Sequence, residues 1–441
     1  DTGYSKTDFL AKLRYSFSDA HALEFKYSMT DEISNETYLG LTDEDFSENP
    51  LRRYRATALD EMDADHSQFT LSYAGKLTDN MSLAVTAYSN DFARNWYKLN
   101  KVNGAKLSTI AKPTDDAFAD FYALMDAQNS ADDAYRIKAN NREYYSSGVQ
   151  AVFNVEAGGH DMQIGMRMHS DEMDRFQWED RYKMADGKLV MTTQATPGSD
   201  SNRIDSAEAT ALYFEDRFSV GELIVTAGAR YEEITVMRDD WGKTDPDRSE
   251  TPSDREHTMD VIVPGVSVEY PISDTQTISL GVHKGFAPPG PGTSGVTDEA
   301  VDPETSLNTE IGWKSNEGLN SMEFTYFMNS YDNLLGADTA ASGGGTDDLF
   351  NGGAVDISGL ELYLRRILVD NGSMQVPLEI SYTKTNTEFK ESFDGFWGDV
   401  SSGDELPYIP ETMVSANLGV NLDATSVTLG LRHVAAMRTS A

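Results

Sequence analysis

The sequence predicts an all-β protein, an antiparallel transmembrane β-barrel of which about sixteen strands are present. Three observations lead to this fold class. Apolar and polar residues alternate along most of the chain, and short and long connections alternate between the segments so defined. In addition, the apolar runs are far shorter than the roughly 20 residues that a membrane-spanning helix needs.

The alternation begins close to the first residue. Phe9, Leu13 and Phe17 are apolar and share one parity, whereas Lys12 and Arg14 lie between them. Because successive side chains of a strand point to opposite faces, this period of two predicts a strand with one apolar and one polar face. The further segments with the same period are 23–29, 69–73, 81–87, 149–155, 162–168, 207–213, 223–231, 266–270, 278–282, 307–313, 322–328, 360–364, 376–382, 414–422 and 427–431.

The connections favour a barrel over a soluble sandwich. A tight turn at 18–21 is followed by a long loop at 30–65, and this order repeats without a break. Transmembrane barrels have short turns at one end and long loops at the other, and a sandwich has no reason to keep that rhythm. The other predicted tight turns are 78–80, 157–159, 219–221, 273–274, 316–318, 370–372 and 423–424. The other predicted long loops are 89–143, 170–202, 237–258, 285–305, 332–354 and 386–411.

Closure of such a sheet would place the two faces in different surroundings. Backbone groups in lipid must all be paired, so the sheet should close, with the apolar face toward lipid and the polar face toward the lumen. A lumen lined with charge implies water or a plug inside. The residues expected on the polar face are Glu24, Lys26, Gln150, Asn154, Arg167, Glu208, Arg230, Glu269, Glu323 and Glu361.

Charge and composition exclude several function classes. The net charge of -37 excludes nucleic acid as a partner and excludes a polybasic membrane anchor, because both require a basic face. Solvated loops or adaptation to salt explain such acidity, and metal-rich surface sites are the alternative. The lack of cysteine fits an exported protein.

No catalytic constellation is visible in the sequence. The seven histidines are scattered without a metalloprotease spacing, and the glycine run 343–345 is followed by Thr346 without the Lys of a phosphate loop. The acidic residues at 60–65 lack the spacing of a calcium loop. We therefore expect no enzyme activity, no cofactor and no resident metal site.

Five stretches resemble TonB-dependent outer-membrane receptors. The segment SNETYLGLT at 34–42, followed by Phe46 and by Asn49 and Pro50, resembles the first long loop region of the ferric dicitrate type. The stretches GVHKGFAPP at 281–289, EIGWK at 310–314, SGLE at 358–361 and LPYIP at 406–410 are similar to motifs of the superfamily in general.

The resemblance implies the rest of the functional interpretation. Members have a barrel of about 22 strands filled by an amino-terminal plug, so residues 1–441 are expected to be a partial barrel domain without the plug and the terminal strands. The implied function is energy-coupled uptake of a ferric chelate, ferric dicitrate or a related siderophore, across the bacterial outer membrane. The implied partners are the TonB-ExbB-ExbD complex, through the missing amino-terminal region, and outer-membrane lipid and lipopolysaccharide.

Arginines are the expected ligand contacts, since guanidinium groups bind carboxylates in bidentate fashion. Arg52, Arg53 and Arg55 follow the loop motif. By order along the chain, the loop between 170 and 206 corresponds to one that carries ligand-binding arginines in ferric dicitrate receptors. It contributes the candidates Arg175, Gln177, Arg181 and Arg203.

Other interpretations stay open. The same arginines would serve for salt bridges to neighbouring acids or for attachment to lipopolysaccharide. A receptor for haem, cobalamin or a saccharide would share the motifs, and a passive porin would share the strand rhythm.

Overall fold

The computed structural model describes residues 3–107, 123–288, 303–337, 349–351, 353–395 and 398–438. Pro289 of one motif, the glycine run 343–345 and much of two predicted loops, 285–305 and 332–354, lie outside the described residues. The chain divides into two compact units. The first comprises Asp1–Phe153, Gly165–Ala211 and Glu233–Met259, and the second comprises Asn154–Ile164, Leu212–Glu232 and Asp260–Ala441.

Strands dominate the described part of the chain. They are β1 (Tyr4–Ser18), β2 (His21–Ser34), β3 (Glu61–Thr78), β4 (Met81–Val102), β5 (Ala105–Lys106), β6 (Tyr135–Ala157), β7 (His160–Ala185), β8 (Lys188–Thr193), β9 (Ser201–Val220), β10 (Leu223–Asp240), β11 (Ser253–Ser273), β12 (Gln276–Ala287), β13 (Glu304–Glu317), β14 (Asn320–Tyr331), β15 (Leu335–Ala337), β16 (Leu349–Asn351), β17 (Val355–Asp370), β18 (Met374–Phe389), β19 (Phe393–Gly395), β20 (Gly398–Val400), β21 (Thr412–Leu422) and β22 (Thr425–Val434).

Sixteen of these strands have ten or more residues, and each contains one of the sixteen alternating segments. The prediction of about sixteen strands joined by tight turns is therefore confirmed. A short helix, α1 (Asp43–Glu48), and one 3₁₀ turn (Arg55–Thr57) lie in the connection between β2 and β3. None of the helices in the described ranges has the length and apolar character that crossing a bilayer requires.

Neighbouring strands pair antiparallel, and their register aligns apolar residues into rows. In the first unit, Leu13 of β1 lies opposite Phe25 of β2, which lies opposite Leu71 of β3. In the second unit, Trp313 of β13 lies opposite Phe324 of β14, which in turn faces Leu362 of β17. A slip of one residue would move every apolar side chain to the other face, so this matching fixes the register.

The apolar face is exposed rather than packed inside the protein. Leu13 is 67% exposed, Met168 is 54% exposed and Leu429 is 72% exposed. A water-soluble sandwich would bury such residues in its core. Their exposure agrees with the expected contact between this face and lipid hydrocarbon.

Buried apolar clusters lie instead among the long connections and the strand ends beside them. In the first unit, Tyr54, Leu99, Met125, Tyr135 and Met184 form the centre of one cluster. In the second unit, the residues of the corresponding cluster are Val355, Phe389, Val400 and Leu406. These clusters give the connections a packed core of their own.

Within the described residues, the predicted long loops after β4 and β7 are shorter than expected, and this is a correction. Strand β4 continues to Val102 and β7 continues to Ala185, where a turn leads into β8. Beyond the part of each strand whose apolar face contacts lipid, both faces of the strand meet water or polar groups. The alternation therefore ends while backbone pairing continues, and the sequence pattern marks only the part of each strand that faces lipid.

Candidate functional site

The connection between β2 and β3 contains the first candidate arginine, Arg52. Its guanidinium donates to the carboxylates of Asp45 and Asp126. Asp45 also accepts a hydrogen bond from the Tyr54 hydroxyl at 2.6 Å. Thr42 caps α1 by accepting from the Asp45 backbone N–H. Arg52 thus links this helix to the segment that precedes β6.

Arg53 contacts mainly backbone carbonyl groups. It donates to the carbonyl of Asn35 at 3.0 Å, to that of Thr57 at 3.0 Å and to that of Asp60 at 2.7 Å. These three acceptors lie at the beginning and end of the connection. Arg53 therefore closes the connection into a compact loop, in which its side chain satisfies backbone acceptors.

Asp60 is a buried carboxylate at the end of the same connection. It is 2% exposed, and it accepts from the Leu99 backbone N–H at 2.7 Å and from the Thr37 hydroxyl at 2.9 Å. Burial raises the pKa of Asp60 from 3.8 to about 6, against the opposing effect of these hydrogen bonds and of Arg53. The loop is therefore anchored on a group that titrates in a mildly acidic range.

Arg55 belongs to the same loop, and Arg181 pairs with the segment that precedes β6. The Arg55 backbone N–H donates to Asp126 at 3.0 Å, and the Arg55 guanidinium occupies the space beside Gly187, in the turn between β7 and β8. Arg181 of β7 donates to Asp133 at 3.0 Å. Hydrogen bonds from Thr192 and then Arg181 lower the pKa of Asp133. Three of the seven candidates, Arg52, Arg53 and Arg55, thus lie in this packed loop.

The remaining four candidates, Arg181 included, lie on strands, which corrects their expected place in a loop. Arg175 and Gln177 are in β7 and Arg203 is in β9. Arg175 is 7% exposed and Gln177 is fully buried. The Gln177 amide donates to the Asn140 side-chain oxygen, which also accepts from Arg142.

Arg203 belongs to a buried ion cluster. Its guanidinium lies 3.2 Å from Asp205, and the guanidinium of Arg238 in β10 donates to the same carboxylate. Asp205 is 5% exposed and Arg238 is 7% exposed. Because two guanidinium groups share one carboxylate, the trio has an excess of one positive charge in a chain of net charge -37.

Sequence reasoning missed Arg248, which lies in the connection between β10 and β11. It makes two hydrogen bonds to Asp174, at 2.6 and 2.8 Å, and donates to the Asn202 side chain at 2.8 Å. Its guanidinium also lies over the rings of Phe176 and Trp241. The turn-forming run DPDRS at 245–249 was the available signal, because Asp and Pro in such a run favour a fixed turn.

Two lysines around Asp200 were also missed. Lys138 of β6 lies 2.7 Å from Asp200, and Lys243 lies 3.4 Å from it. Burial raises the pKa of Asp200, but the two lysines together lower this pKa by a larger amount. The pKa of Asp200 is therefore below its ordinary value. Because the Asp200 backbone N–H donates to the Gln177 carbonyl, the two lysines lie close to Gln177.

The described ranges contain no group of three or more His, Cys, Asp or Glu side chains arranged to hold a metal ion. Within them, the basic side chains that gather around Asp200 and Asp205 are the clearest chemical feature. They suit a ligand with several negative charges.

Comparison with protein families gives one match over almost the whole chain. The family described as "TonB dependent receptor-like, beta-barrel" matches residues 5–440. This confirms the predicted fold class, an antiparallel transmembrane β-barrel with about sixteen strands in this chain.

Solved structures share the fold at low sequence identity. The ferric citrate transporter FecA in its unliganded form is 18% identical with a TM-score of 0.67, over 98% of this chain and 57% of that one. The siderophore receptor PiuA from Acinetobacter baumannii is 13% identical with a TM-score of 0.69, over 98% and 64%. The ferric-catecholate import receptor Fiu from E. coli K12 is 14% identical with a TM-score of 0.67, over 98% and 64%. The chain thus spans less than two thirds of each of these three proteins.

Proposed function

Since this chain belongs to the TonB-dependent receptor-like β-barrel family, we propose that it forms the wall of an outer-membrane receptor for energy-coupled uptake of a ferric chelate. The observation that carries the proposal is the family match over residues 5–440. Energy would come from the TonB-ExbB-ExbD complex acting through a plug. The outer face of the wall would contact outer-membrane lipid and lipopolysaccharide.

The ligand is proposed to be ferric dicitrate or a related carboxylate-rich siderophore. Arg203 and Arg238 share the carboxylate of Asp205, so a further carboxylate would find two guanidinium groups already held side by side. Guanidinium groups bind carboxylates strongly where water is partly excluded. Structural likeness to a ferric citrate transporter and to two other iron receptors supports the same ligand class.

Arg175, Gln177 and Arg203 are the proposed contacts of first rank. All three lie on strands, where paired backbone holds them in place, and Arg203 in addition shares the carboxylate of Asp205 with Arg238. Arg52, Arg53, Arg55 and Arg181 are proposed contacts of second rank. Arg181 also lies on a strand, but like Arg52 and Arg53 it binds an acidic or carbonyl partner that a chelate would have to replace, whereas Arg203 shares its carboxylate with Arg238.

The test uses the full-length receptor, purified in detergent and also expressed in cells that lack other ferric citrate receptors. We expect saturable binding of ferric citrate and uptake of radioactive iron that stops when a protonophore removes the energy supply. A ferric catecholate, haem, cobalamin and an oligosaccharide are tested in parallel.

Two results would reject the proposal in different ways. Passive conductance in planar bilayers with no saturable binding of any of these compounds would indicate a porin. Saturable binding of haem, cobalamin or the oligosaccharide, with no binding of ferric chelates, would keep the receptor but replace its ligand.

A further inference from the structure

Four side chains of the first unit form a hydrogen-bonded cluster that the proposed anion site does not use. The Tyr88 hydroxyl of β4 lies 2.6 Å from Nδ1 of His169 in β7. Arg167 donates to the same hydroxyl oxygen from Nε at 3.2 Å and from Nη2 at 2.9 Å. His169 Nε2 lies 3.2 Å from a carboxylate oxygen of Asp171.

A glycine allows Tyr88 to reach β7. A Cβ atom at Gly148 of β6 would overlap the Tyr88 ring and the carbonyl oxygen of Met168. Because Gly148 has no side chain, the phenol can lie across the backbone of β6. The juxtaposition of phenol and imidazole therefore depends on residues from three strands, β4, β6 and β7.

We propose that Tyr88 and His169 bind the Fe(III) ion of the incoming chelate directly, as two exchangeable ligands on the wall. This inference rests on the proposed uptake of a ferric chelate. Phenolate oxygen is a hard anionic donor suited to Fe(III), and imidazole is a common iron ligand. Neighbouring ligands of an octahedral ion with bonds of about 2 Å lie about 2.8 Å apart. The separation of 2.6 Å between the Tyr88 oxygen and Nδ1 is close to that spacing.

The two remaining groups occupy the supporting positions that such a site needs. A histidine that binds a metal through one ring nitrogen usually donates from the other to a carboxylate, and Asp171 is placed for that role. Arg167 donates two hydrogen bonds to the phenol oxygen, which hold it in place, and offers a guanidinium to a carboxylate of the chelate. The cluster is also accessible, since the side chains of His169 and Asp171 are 21% and 52% exposed.

The exchange step leaves the iron ferric throughout. The Tyr88 hydroxyl gives its proton to water, a water ligand leaves the iron, and a bond forms between the phenolate oxygen and Fe(III). Nδ1 of His169 replaces a second water ligand with its lone pair. The step therefore needs a chelate with water-filled positions, as in a one-to-one complex of Fe(III) with citrate or nitrilotriacetate, and in ferric dicitrate a citrate carboxylate would have to leave in place of the water. It excludes a chelate whose six positions are all held by one hexadentate siderophore.

A second tyrosine–histidine pair in the same unit provides a matched control. The Tyr73 hydroxyl lies 2.8 Å from Nδ1 of His21, with the two rings stacked. Within the described ranges, the hydrogen bonds and ion pairs of this pair include neither a guanidinium nor a carboxylate. Tyr73 also has the parity of the apolar face, on which Leu71 lies.

The experiment follows iron binding by absorption spectroscopy of the full-length receptor in detergent. A phenolate bound to Fe(III) gives a charge-transfer band in the visible range, and resonance Raman spectroscopy then shows tyrosine ring modes. We expect the band on titration with ferric citrate or ferric nitrilotriacetate, and no band with ferrioxamine, a hexadentate chelate. Tyr88→Phe should lose the band, while Tyr73→Phe should keep it.

Asp171→Asn tests the cluster without removing an iron ligand. It should keep the band but weaken ferric citrate binding about ten- to hundredfold, the usual effect of losing a carboxylate that orients a metal-binding histidine. Heat-modifiable migration on gels checks that each variant is folded. Saturable binding of ferric citrate without a band in the native receptor, or a band that persists in Tyr88→Phe, would overturn this inference and leave the proposed uptake intact. Absence of binding by every ferric chelate would overturn both.

Discussion

The guanidinium of Arg248 makes a bidentate contact with the carboxylate of Asp174, from which it is separated by 74 residues in sequence. Stacking against Phe176 and Trp241 completes the surroundings of this side chain. The contact fixes the connection between β10 and β11 against β7, the strand that carries Arg175 and Gln177. The order of that connection therefore bears directly on the proposed ligand site.

Replacing Arg248 by Lys should loosen the connection at 241–252. An ammonium group cannot form the paired hydrogen bonds or stack as a planar guanidinium does, so the local opening free energy should fall by about 1–3 kcal/mol. Hydrogen exchange with mass spectrometry measures the change. Arg217→Lys is the control, because Arg217 makes a similar paired contact with Glu269 but is more exposed. Its replacement should cost less than about 1 kcal/mol, and equal effects in both variants would contradict the prediction.

Asp60 should make the order of the loop at 35–60 depend on pH. Its pKa in the folded protein is about 6, against an ordinary value of 3.8. Between these two values the folded state binds more protons than the unfolded state, so stability falls as pH rises through this window and then levels off. Limited proteolysis between pH 4.5 and 7 should therefore show faster cleavage of the loop at the higher pH.

Asp60→Asn supplies the control for that experiment. The amide keeps the shape of the carboxyl and the acceptor for the Leu99 N–H but carries no titratable proton. Its loop should resist protease equally at both ends of the range. A native loop with no pH dependence, or an unchanged dependence in the variant, would show that another group is responsible.

Arg203→Gln should weaken ferric citrate binding about ten- to hundredfold, as loss of a charge-assisted hydrogen bond implies. Removal of Arg203 leaves Asp205 paired with Arg238, so the trio loses its excess positive charge while the buried carboxylate keeps a partner. Isothermal titration of the full-length receptor measures the affinity. Arg217→Gln, a change of the same type in the second unit, should leave it unaltered. Unchanged affinity in Arg203→Gln would remove this residue from the proposed site.

Gly148→Ala should destabilise the folded receptor by about 1–3 kcal/mol, because the added methyl group meets the Tyr88 ring and the Met168 carbonyl. The temperature of heat-modifiable migration on gels reports this loss. The control is Gly281→Ala in β12, where the nearest atom to an added Cβ is the Ser267 Cβ at 3.9 Å. A native-like transition temperature for Gly148→Ala would mean that Tyr88 moves aside at little cost.

Local pattern was enough to predict the strands. The parity of Phe9, Leu13 and Phe17 places them on one face of β1, and their partners in β2 follow from matching apolar residues across a tight turn. Both signals are contained within about 20 residues. Strand ends were less predictable. The last residues of β7 lie beyond the segment whose apolar side faces lipid, so apolar and polar residues no longer alternate there.

The sequence by itself determined the number of long strands, the identity of the two faces and the order of tight turns, because each depends on neighbours within one hairpin. Only the tertiary structure decided which charged and polar groups meet. Arg248 and Asp174 are 74 residues apart, and Tyr88 and His169 are 81 residues apart. Such pairs depend on the register of several strands at once and on the path of long connections, and a period of two carries no information about either.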